Sequence, residues 1–420
     1  MRSNLCPLPE RTGILPVAFL AAFTLVSCDN PSESSILMPQ LVEQPNLVAS
    51  DLPPATLEWQ ELARGLVALD RLPVLSAERV YSYLSIAQYA AIIKADDRDF
   101  GDRRPKGTGW GPGGRARFEL ERGAVTAASA RILLFFFPGH EAAIAQLARD
   151  EASARGATHP RFKIGLEAGK QIANAMILRA QNDRFTVAFT GTIPTGTGFW
   201  IPNGTPIGAT GANVLPWVMQ SGAQFRAPPP PAFGSAAFLV DLNEIRTMSD
   251  TRTAEQLEIA GAWAYPGGTF TPAGHWNELA GRYVEEHGLN ERAAAHVFAL
   301  MHAAQFDAHV IACSDSKYTY WYIRPSQADP LITTPIGLPN HPSYPSGHSC
   351  AASAATTILA HFFPDRQLEL ERYRIEAGLS RMYAGIHYRF DIAAAVEIGR
   401  AVAQLAIERD AKAHLMSRIR

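Results

Sequence analysis

The chain has 420 residues, of which 47% are hydrophobic and 19% charged, a composition typical of a globular protein. Its formal net charge of −2 at pH 7 excludes the strongly basic character of most nucleic-acid-binding proteins, so we expect no nucleic-acid partner. Any anion site must therefore come from a local cluster of cations.

The N-terminus has the features of an export signal. Two arginines flank the start of an apolar run that is too short to span a bilayer, which favours a secretory signal peptide over residues 1–27. The run ends in LVSC, residues 25–28, which resembles the bacterial lipobox, in which the cysteine (here Cys28) is lipidated. An ordinary signal cleaved near a cysteine is the alternative. Residues 28–50 are polar and proline-containing, as a tether would be, so we predict a membrane-anchored lipoprotein that faces the periplasm.

Regular segments beyond residue 50 have helical rather than alternating periodicity, so residues 51–420 are predicted to form one all-α helical bundle. Thr253 and Gln256 form a capping box, and Asn290 is predicted to cap a long helix that continues to Tyr322. The other predicted helices cover residues 55–69, 77–93, 116–135, 160–181, about 348–363 and 386–410.

Two stretches interrupt this pattern. Residues 101–117 form a glycine-rich basic loop that matches no phosphate-binding motif. Residues 186–235 are rich in proline and glycine, and a structureless segment of that length is unusual inside a compact domain. It either covers a site or divides two helical halves.

Three short blocks carry residues suited to an anion. In KYTYWYIRP, Lys317 and Arg324 are seven positions apart, which on a helix would put both cations on one face. In HPSYPSGHS, Pro345 suits the first turn of a helix, and Ser346 and Gly347 would present free N–H groups at its N-terminus, next to His348. Taken alone, the first block is more typical of a charged helix face exposed to solvent than of a ligand site.

The third block is SRMYAGIHYRFD. His387 and Asp391 are four positions apart, so the carboxylate can accept a hydrogen bond from the imidazole. That bond fixes the tautomer and makes the other ring nitrogen a better nucleophile or ligand. Arg381 adds a forked cation that suits an oxyanion.

The blocks K-x6-RP, PSGH and SR-x5-H-x3-D resemble, without substitutions, the motif of the superfamily that joins type 2 phosphatidic acid phosphatases (PAP2), class A bacterial acid phosphatases and vanadium-dependent haloperoxidases. The resemblance implies an α-helical bundle of the PAP2/vanadium haloperoxidase type, with the motif-bearing core at about 250–410. It also implies a trigonal-bipyramidal phosphate or vanadate, with His387 at one apex and His348 near the other. Its equatorial oxygens would be neutralised by Lys317, Arg324, Ser346, Gly347 and Arg381.

Segment 252–280, which includes GHWN, resembles bacterial vanadium-haloperoxidase-like proteins. In that reading, His387 binds vanadate as the cofactor and hydrogen peroxide and halide are the substrates. His348 acts as general acid/base and Lys317 polarises bound peroxide. The residues after Pro325, SQADPLITTP, depart from the run common in that group, which leaves the rim of the pocket open.

Two alternatives remain from the sequence. A periplasmic acid phosphatase would use no cofactor: His387 would attack a phosphomonoester to form a phosphohistidine, and His348 would protonate the leaving oxygen. A surface lipoprotein with a relict pocket and a binding role is the third reading.

Further histidines and cysteines accompany the motif. His341 matches a position that is histidine in algal bromoperoxidases and phenylalanine in fungal chloroperoxidases, which implies a role in tuning bound peroxide or halide; an exposed imidazole in a turn is the alternative. His275 is interpreted as a structural histidine at a helix start. Cys313 and Cys350 would reside in an oxidising compartment, where either a disulfide or two buried thiols is possible.

Overall fold

Helices make up the regular structure of the protein. The structure, a computed structural model, describes residues 53–100, 112–153 and 159–412. The predicted signal peptide, Cys28, the tether and most of the glycine-rich loop lie outside the described residues. Within the described ranges there is no β-strand, which confirms the prediction of an all-α fold.

The helices begin and end close to the predicted boundaries wherever apolar periodicity was strong. They are α1 (Ala55–Leu69), α2 (Val74–Phe100), α3 (Pro112–Phe136), α4 (Glu141–Glu151), α5 (Pro160–Asn182), α6 (Ala236–Asp250), α7 (Ala254–Ala262), α8 (Thr271–Glu286), α9 (Glu291–Phe306), α10 (Ser314–Tyr320), α11 (Pro325–Ala328), α12 (Gly347–Phe362), α13 (Gln367–Tyr383) and α14 (Arg389–Ala411). No described helix combines the length and the apolarity needed to cross a bilayer.

Two groups of helices bury the core. Helix α2 packs against α3, α5 and α9, and α12 packs against α9, α13 and α14. The predicted capping box of α7 forms between Thr253 and Gln256, and the side chain of Asn290 accepts a hydrogen bond from the Ala293 amide at the start of α9. These caps satisfy amide groups that the first helical turn leaves without partners.

The long helix predicted from Asn290 to Tyr322 is interrupted and shorter. Asp307–Cys313 form a wider π-helical turn between α9 and α10, and α10 ends at Tyr320. Trp321 then adopts a left-handed conformation with φ of 51°, which stops the helix. The prediction that Lys317 and Arg324 share one helix face is therefore wrong: Arg324 follows this turn and stands at the N-cap of α11.

The Pro/Gly-rich stretch predicted at 186–235 occupies the connection between α5 and α6 and packs onto the π-helical turn and α10. The buried carboxylate of Asp307 accepts hydrogen bonds from the amides of Trp217, Val218 and Met219, at 2.9, 2.7 and 2.8 Å. Arg226 forms an ion pair with Asp315 at 2.6 Å. The stretch thus covers the segment that carries the first motif block.

Candidate functional site

The N-terminus of α12 forms the floor of the candidate site. Ser346 is its N-cap and Gly347 its first residue, so the first amide groups of α12 have no carbonyl acceptor inside the helix. The Ser346 amide is used elsewhere, because it donates to the Asp391 carbonyl at 3.0 Å. The prediction that Pro345 lies in the first turn is wrong: it precedes the N-cap and follows a cis peptide bond.

His387 and Asp391 form the predicted pair. Nδ1 of His387 lies 2.8 Å from Oδ2 of Asp391, which also accepts from the Ser343 hydroxyl at 2.6 Å and the Tyr388 amide at 3.2 Å. Because a carboxylate accepts, the His387 proton resides on Nδ1 and the lone pair on Nε2. His387 precedes α14 while Asp391 lies in its first turn.

Burial governs the charge state of this pair. It lowers the pKa of His387 well below its ordinary value, and the nearby Arg324 and Lys317 cations add to the effect. Burial also raises the pKa of Asp391 to about 7, against the opposing hydrogen bond from Ser343. A neutral imidazole with a free Nε2 lone pair is the form that can attack phosphorus or bind vanadium.

Arg324 lies behind His387 and is fully buried. Nη1 of Arg324 is 3.2 Å from Nε2 of His387 and donates to the Ile386 carbonyl at 2.7 Å. Its Nη2 lies 2.9 Å from Nδ1 of His341, whose Nδ1 is also 3.2 Å from the Pro342 carbonyl. A guanidinium can only donate, so the shorter contact places the His341 lone pair on Nδ1 and its proton on Nε2.

Lys317 is buried with its three N–H groups directed at backbone carbonyls. Nζ donates to the carbonyls of Pro342 at 2.9 Å and Ser343 at 3.0 Å, and also to that of Pro345. Burial lowers the pKa of Lys317 to about 8. Lys317 therefore fixes the loop before α12, and its charge acts on the site from that position.

Arg381 and His348 complete the motif. Arg381 is buried without a carboxylate partner among the described residues: Nε donates to the Ser380 hydroxyl at 2.9 Å and Nη2 to the Ala260 carbonyl at 3.1 Å. Nε2 of His348 lies 3.0 Å from the Trp263 carbonyl, so Nε2 carries the proton and Nδ1 the lone pair. Burial, with help from Arg381, lowers the pKa of His348 well below its ordinary value.

One cavity of about 630 Å³ joins these groups. We call it the oxyanion cavity; its motif lining is Lys317, His341, Gly347, His348, Arg381 and His387. Arg324 and Ser346 support this lining from behind, through the contacts just described. The Pro/Gly-rich stretch contributes Ile207, Gly208 and Thr210 to the wall.

The remaining sequence candidates lie next to the cavity or in the core. Cys313 and Cys350 are both buried and free, so the disulfide alternative is not the one in the structure. Their side chains contact each other, and Cys313 also meets the Pro345 carbonyl at 3.8 Å. His275 contacts the Tyr265 hydroxyl at 2.8 Å among aromatic rings, and burial lowers its pKa to about 4, as expected of a structural histidine.

Sequence reasoning missed one pair at the cavity wall. His309, in the π-helical turn, lines the oxyanion cavity, and its Nδ1 lies 2.7 Å from Oε1 of Glu78 on α2. The available signal was weak: a carboxylate on an otherwise apolar face, and a histidine eight positions before Lys317.

The residues present fit a tetrahedral or five-coordinate oxyanion such as vanadate. The Nε2 lone pair of His387 is fixed by Asp391, and the cations of Lys317, Arg324 and Arg381 compensate negative charge. The N-terminus of α12 adds amide donors and its helix dipole. This donor set suits an anion better than a bare metal cation.

Comparison with known proteins agrees with the motif. The model of the PAP2 superfamily matches residues 294–413. A non-specific acid phosphatase of Providencia stuartii is 29% identical over 177 residues, which are 40% of this chain and 67% of that protein.

Two solved structures resemble the fold. The first bacterial vanadium-dependent iodoperoxidase superposes with a TM-score of 0.69 at 21% identity, covering 87% of this chain and 97% of that one. A bacterial vanadium-dependent chloroperoxidase of holo type superposes with a TM-score of 0.62 at 16% identity, covering 82% and 95%. At these identities the likeness establishes the fold.

Proposed function

We propose, on the premise that the chain belongs to the PAP2/vanadium haloperoxidase-like superfamily, that it is a vanadium-dependent haloperoxidase-like enzyme that oxidises halide with hydrogen peroxide. The observation that carries the proposal is the His387–Asp391 pair, which leaves the lone pair on Nε2 of a histidine that lines the same cavity as Lys317 and Arg381. Vanadate bound there would supply Lewis acidity that activates peroxide without a change of oxidation state.

The protein's own residues would divide the work. His387 would hold the anion through Nε2, whose lone pair would leave its contact with Nη1 of Arg324 at 3.2 Å when the anion binds. Arg381, whose guanidinium has N–H groups beyond the two that donate to Ser380 and Ala260, would bind anion oxygens beside the Gly347 amide. Because the lowered pKa keeps His348 neutral, its Nδ1 would take the proton of an incoming peroxide.

One observation favours the haloperoxidase branch. Both haloperoxidase structures match most of the chain, at 87% and 82%, whereas the acid phosphatase matches 40% of it.

Acid phosphatase activity is the second candidate, favoured by the sequence match to the Providencia protein. Nε2 of His387 would form a bond to phosphorus as the ester P–O bond breaks. His348 would first have to gain a proton on Nδ1 and then donate it to the leaving oxygen. The substrates would be phosphomonoesters and no vanadate would be needed.

The predicted signal peptide and Cys28 would place either enzyme on a membrane surface facing the periplasm. Hydrogen peroxide and halide, or a phosphomonoester, would reach the oxyanion cavity from that compartment. This placement rests on the N-terminal sequence alone.

A side-by-side assay tests the proposal. The purified protein is incubated with orthovanadate and assayed for peroxide-dependent oxidation of bromide and iodide, and without vanadate for hydrolysis of p-nitrophenyl phosphate. We expect halide oxidation that is lost in His387→Ala and retained in His296→Ala, whose histidine pairs with Asp410 outside the cavity. Phosphate release without halide oxidation would instead support the phosphatase. If the protein showed neither activity, the result would favour the relict pocket.

A further inference from the structure

A second histidine–carboxylate pair stands at the oxyanion cavity, apart from His387 and Asp391. His309 projects from the π-helical turn, and Glu78 comes from α2, which lies outside residues 294–413 matched by the superfamily model. Their contact at 2.7 Å joins positions 231 residues apart in sequence. Glu78 is almost completely buried, and among the described residues its one hydrogen-bond partner is this imidazole.

The His309 ring lies directly against the anion-binding end of α12. A Cβ atom added at Gly347 would stand 2.5 Å from Nε2 and 3.1 Å from Cδ2 of His309. No real Cβ tolerates the shorter distance, so glycine at 347 makes room for this ring. Nε2 of His309 is therefore beside the amide that is expected to bind the oxyanion.

The two nitrogens of His309 face different surroundings. Nδ1 donates to the Glu78 carboxylate, whereas Nε2 has no hydrogen-bond partner within the described part of the chain and belongs to the cavity wall. Oε2 of Glu78 is buried and likewise has no partner there. A buried carboxylate with a single partner is stabilised most when that partner is a cation.

We propose that His309 is a further oxyanion-binding residue, whose imidazolium is held by Glu78 at Nδ1 and donates Nε2–H to the anion bound at Gly347. The inference rests on the oxyanion site of the proposed function and adds a donor that the three motif blocks do not contain. His309 differs from His387 in the partner of its second nitrogen: Nε2 of His387 meets the Arg324 guanidinium and stays a lone pair. Of these two carboxylate-paired rings, only that of His309 is free to bear a proton on both nitrogens within the described structure.

Electrostatics support this assignment. Burial alone would lower the pKa of His309, but the Glu78 carboxylate outweighs burial and raises the pKa above its ordinary value. The pKa of Glu78 is raised by burial, with His309 opposing the rise. The direction of the His309 shift thus favours the imidazolium, with a proton on each nitrogen, next to the cavity.

Calorimetric titration with orthovanadate, and with inorganic phosphate as a second probe, tests the role without turnover. We expect His309→Gln and Glu78→Gln each to weaken orthovanadate binding by about ten- to hundredfold, as loss of a charge-assisted hydrogen bond does. Glu78→Gln is nearly isosteric and keeps an oxygen acceptor for Nδ1–H, so it separates charge from packing. The control, His296→Gln, removes a histidine of the same helical run that pairs with Asp410 at 2.9 Å, and should leave the affinity unchanged.

The outcomes separate this inference from the proposed function. If the wild type binds orthovanadate and both His309→Gln and Glu78→Gln bind it with the same affinity, the role of His309 is overturned and the proposed function still stands. If the variants unfold at a lower temperature in the absence of anion but bind the anion as tightly as the wild type, the pair serves packing alone. That result would also overturn the role of His309. No orthovanadate or phosphate binding by the wild type would contradict both.

Discussion

At the scale of single residues, the histidines around the oxyanion cavity differ because each meets a different partner. Carboxylates hold the Nδ1 protons of His387 and His309, whereas a carbonyl holds the Nε2 proton of His348. The Arg324 guanidinium donates to Nδ1 of His341 and so leaves the proton on Nε2. Under the proposed function and the inference on His309, the same type of side chain would act as anion ligand (His387), hydrogen-bond donor to the anion (His309), proton acceptor (His348) and part of the cavity wall (His341).

Replacing Asp391 by asparagine tests how His387 is held. Asp391→Asn removes the charge that fixes the His387 tautomer and leaves Lys317 and Arg324 with less compensation. We expect orthovanadate affinity or turnover to fall about 10- to 100-fold, as measured by titration and initial rates. The matched control is Asp365→Asn, which alters a partly exposed pair with His287 at 3.2 Å; an equal loss there would contradict the role given to Asp391.

The motif residues could be predicted from the sequence because their order and spacing along the chain are themselves the motif. The way in which Arg324 reaches the site could not be predicted from the sequence. The left-handed turn at Trp321, and not a shared helix face with Lys317, brings Arg324 to His387. Glu78 and His309 escaped because their contact depends on α2 packing beside the π-helical turn. A lone histidine in an apolar helix gives no sign of such a partner.

At the scale of elements, the crossing of α12 and α14 brings the second and third motif blocks together. A Cβ atom at Gly399 on α14 would stand 2.6 Å from the Cys350 carbonyl and 2.6 Å from Cβ of Ser353. Glycine at this position lets the two helices approach closely. The Ser346 amide bonds the Asp391 carbonyl at the same crossing, which aligns the N-terminus of α12 with His387.

Two glycine-to-alanine variants measure the closeness of this crossing. Gly399→Ala should lower the free energy of unfolding by about 1–3 kcal/mol, because overpacking outweighs the gain in helix propensity. Gly65→Ala, in the exposed middle of α1 with no atom within 4 Å of the new Cβ, should raise it by up to about 1 kcal/mol. Urea unfolding of both variants measures these changes. If Gly399→Ala raised the free energy of unfolding as much as Gly65→Ala does, the close crossing of α12 and α14 would be contradicted.

Helices with a continuous apolar face were predicted, whereas α4, α6, α8 and α13 were not. Helix α8 has a clear apolar face, but it begins within a run of glycine and proline that hides its start, and α13 is rich in charged side chains. Both are stabilised by tertiary packing, for instance through Trp276 in α8 and Leu370 in α13. The amphipathic pattern of α8 was present in the sequence and was missed, whereas α13 depends more on packing that local sequence does not contain.

At the scale of the whole molecule, a buried polar network links the N-terminal helices to α8 and α9. The side-chain amide of Asn277 donates to Gln60 at 2.7 Å and to Nε2 of His302 at 2.9 Å. Nδ1 of His302 in turn meets Oε1 of Gln305 at 3.1 Å. With both nitrogens occupied, the ring is held neutral, and burial lowers its pKa to about 3.

This network predicts a specific contribution to acid sensitivity. The folded pKa of His302 is below its ordinary value, so between about pH 6.5 and 3 the unfolded chain binds a proton that the folded chain does not. Its contribution to stability therefore falls as the pH falls. From pH 6.5 to 5.5 the wild type should lose about 1 kcal/mol more unfolding free energy than His302→Gln.

Urea unfolding at the two pH values measures that difference. Identical pH dependence in His302→Gln and the wild type would show that folding does not lower the pKa of His302 and would contradict this prediction.

A crystal structure of the protein soaked with orthovanadate tests the central claim, that the three motif blocks form one oxyanion site centred on His387. We predict electron density for a vanadate bonded to Nε2 of His387, with its oxygens facing Gly347 and Arg381. An anion bound elsewhere, with Nε2 of His387 still in contact with Nη1 of Arg324, would contradict this claim.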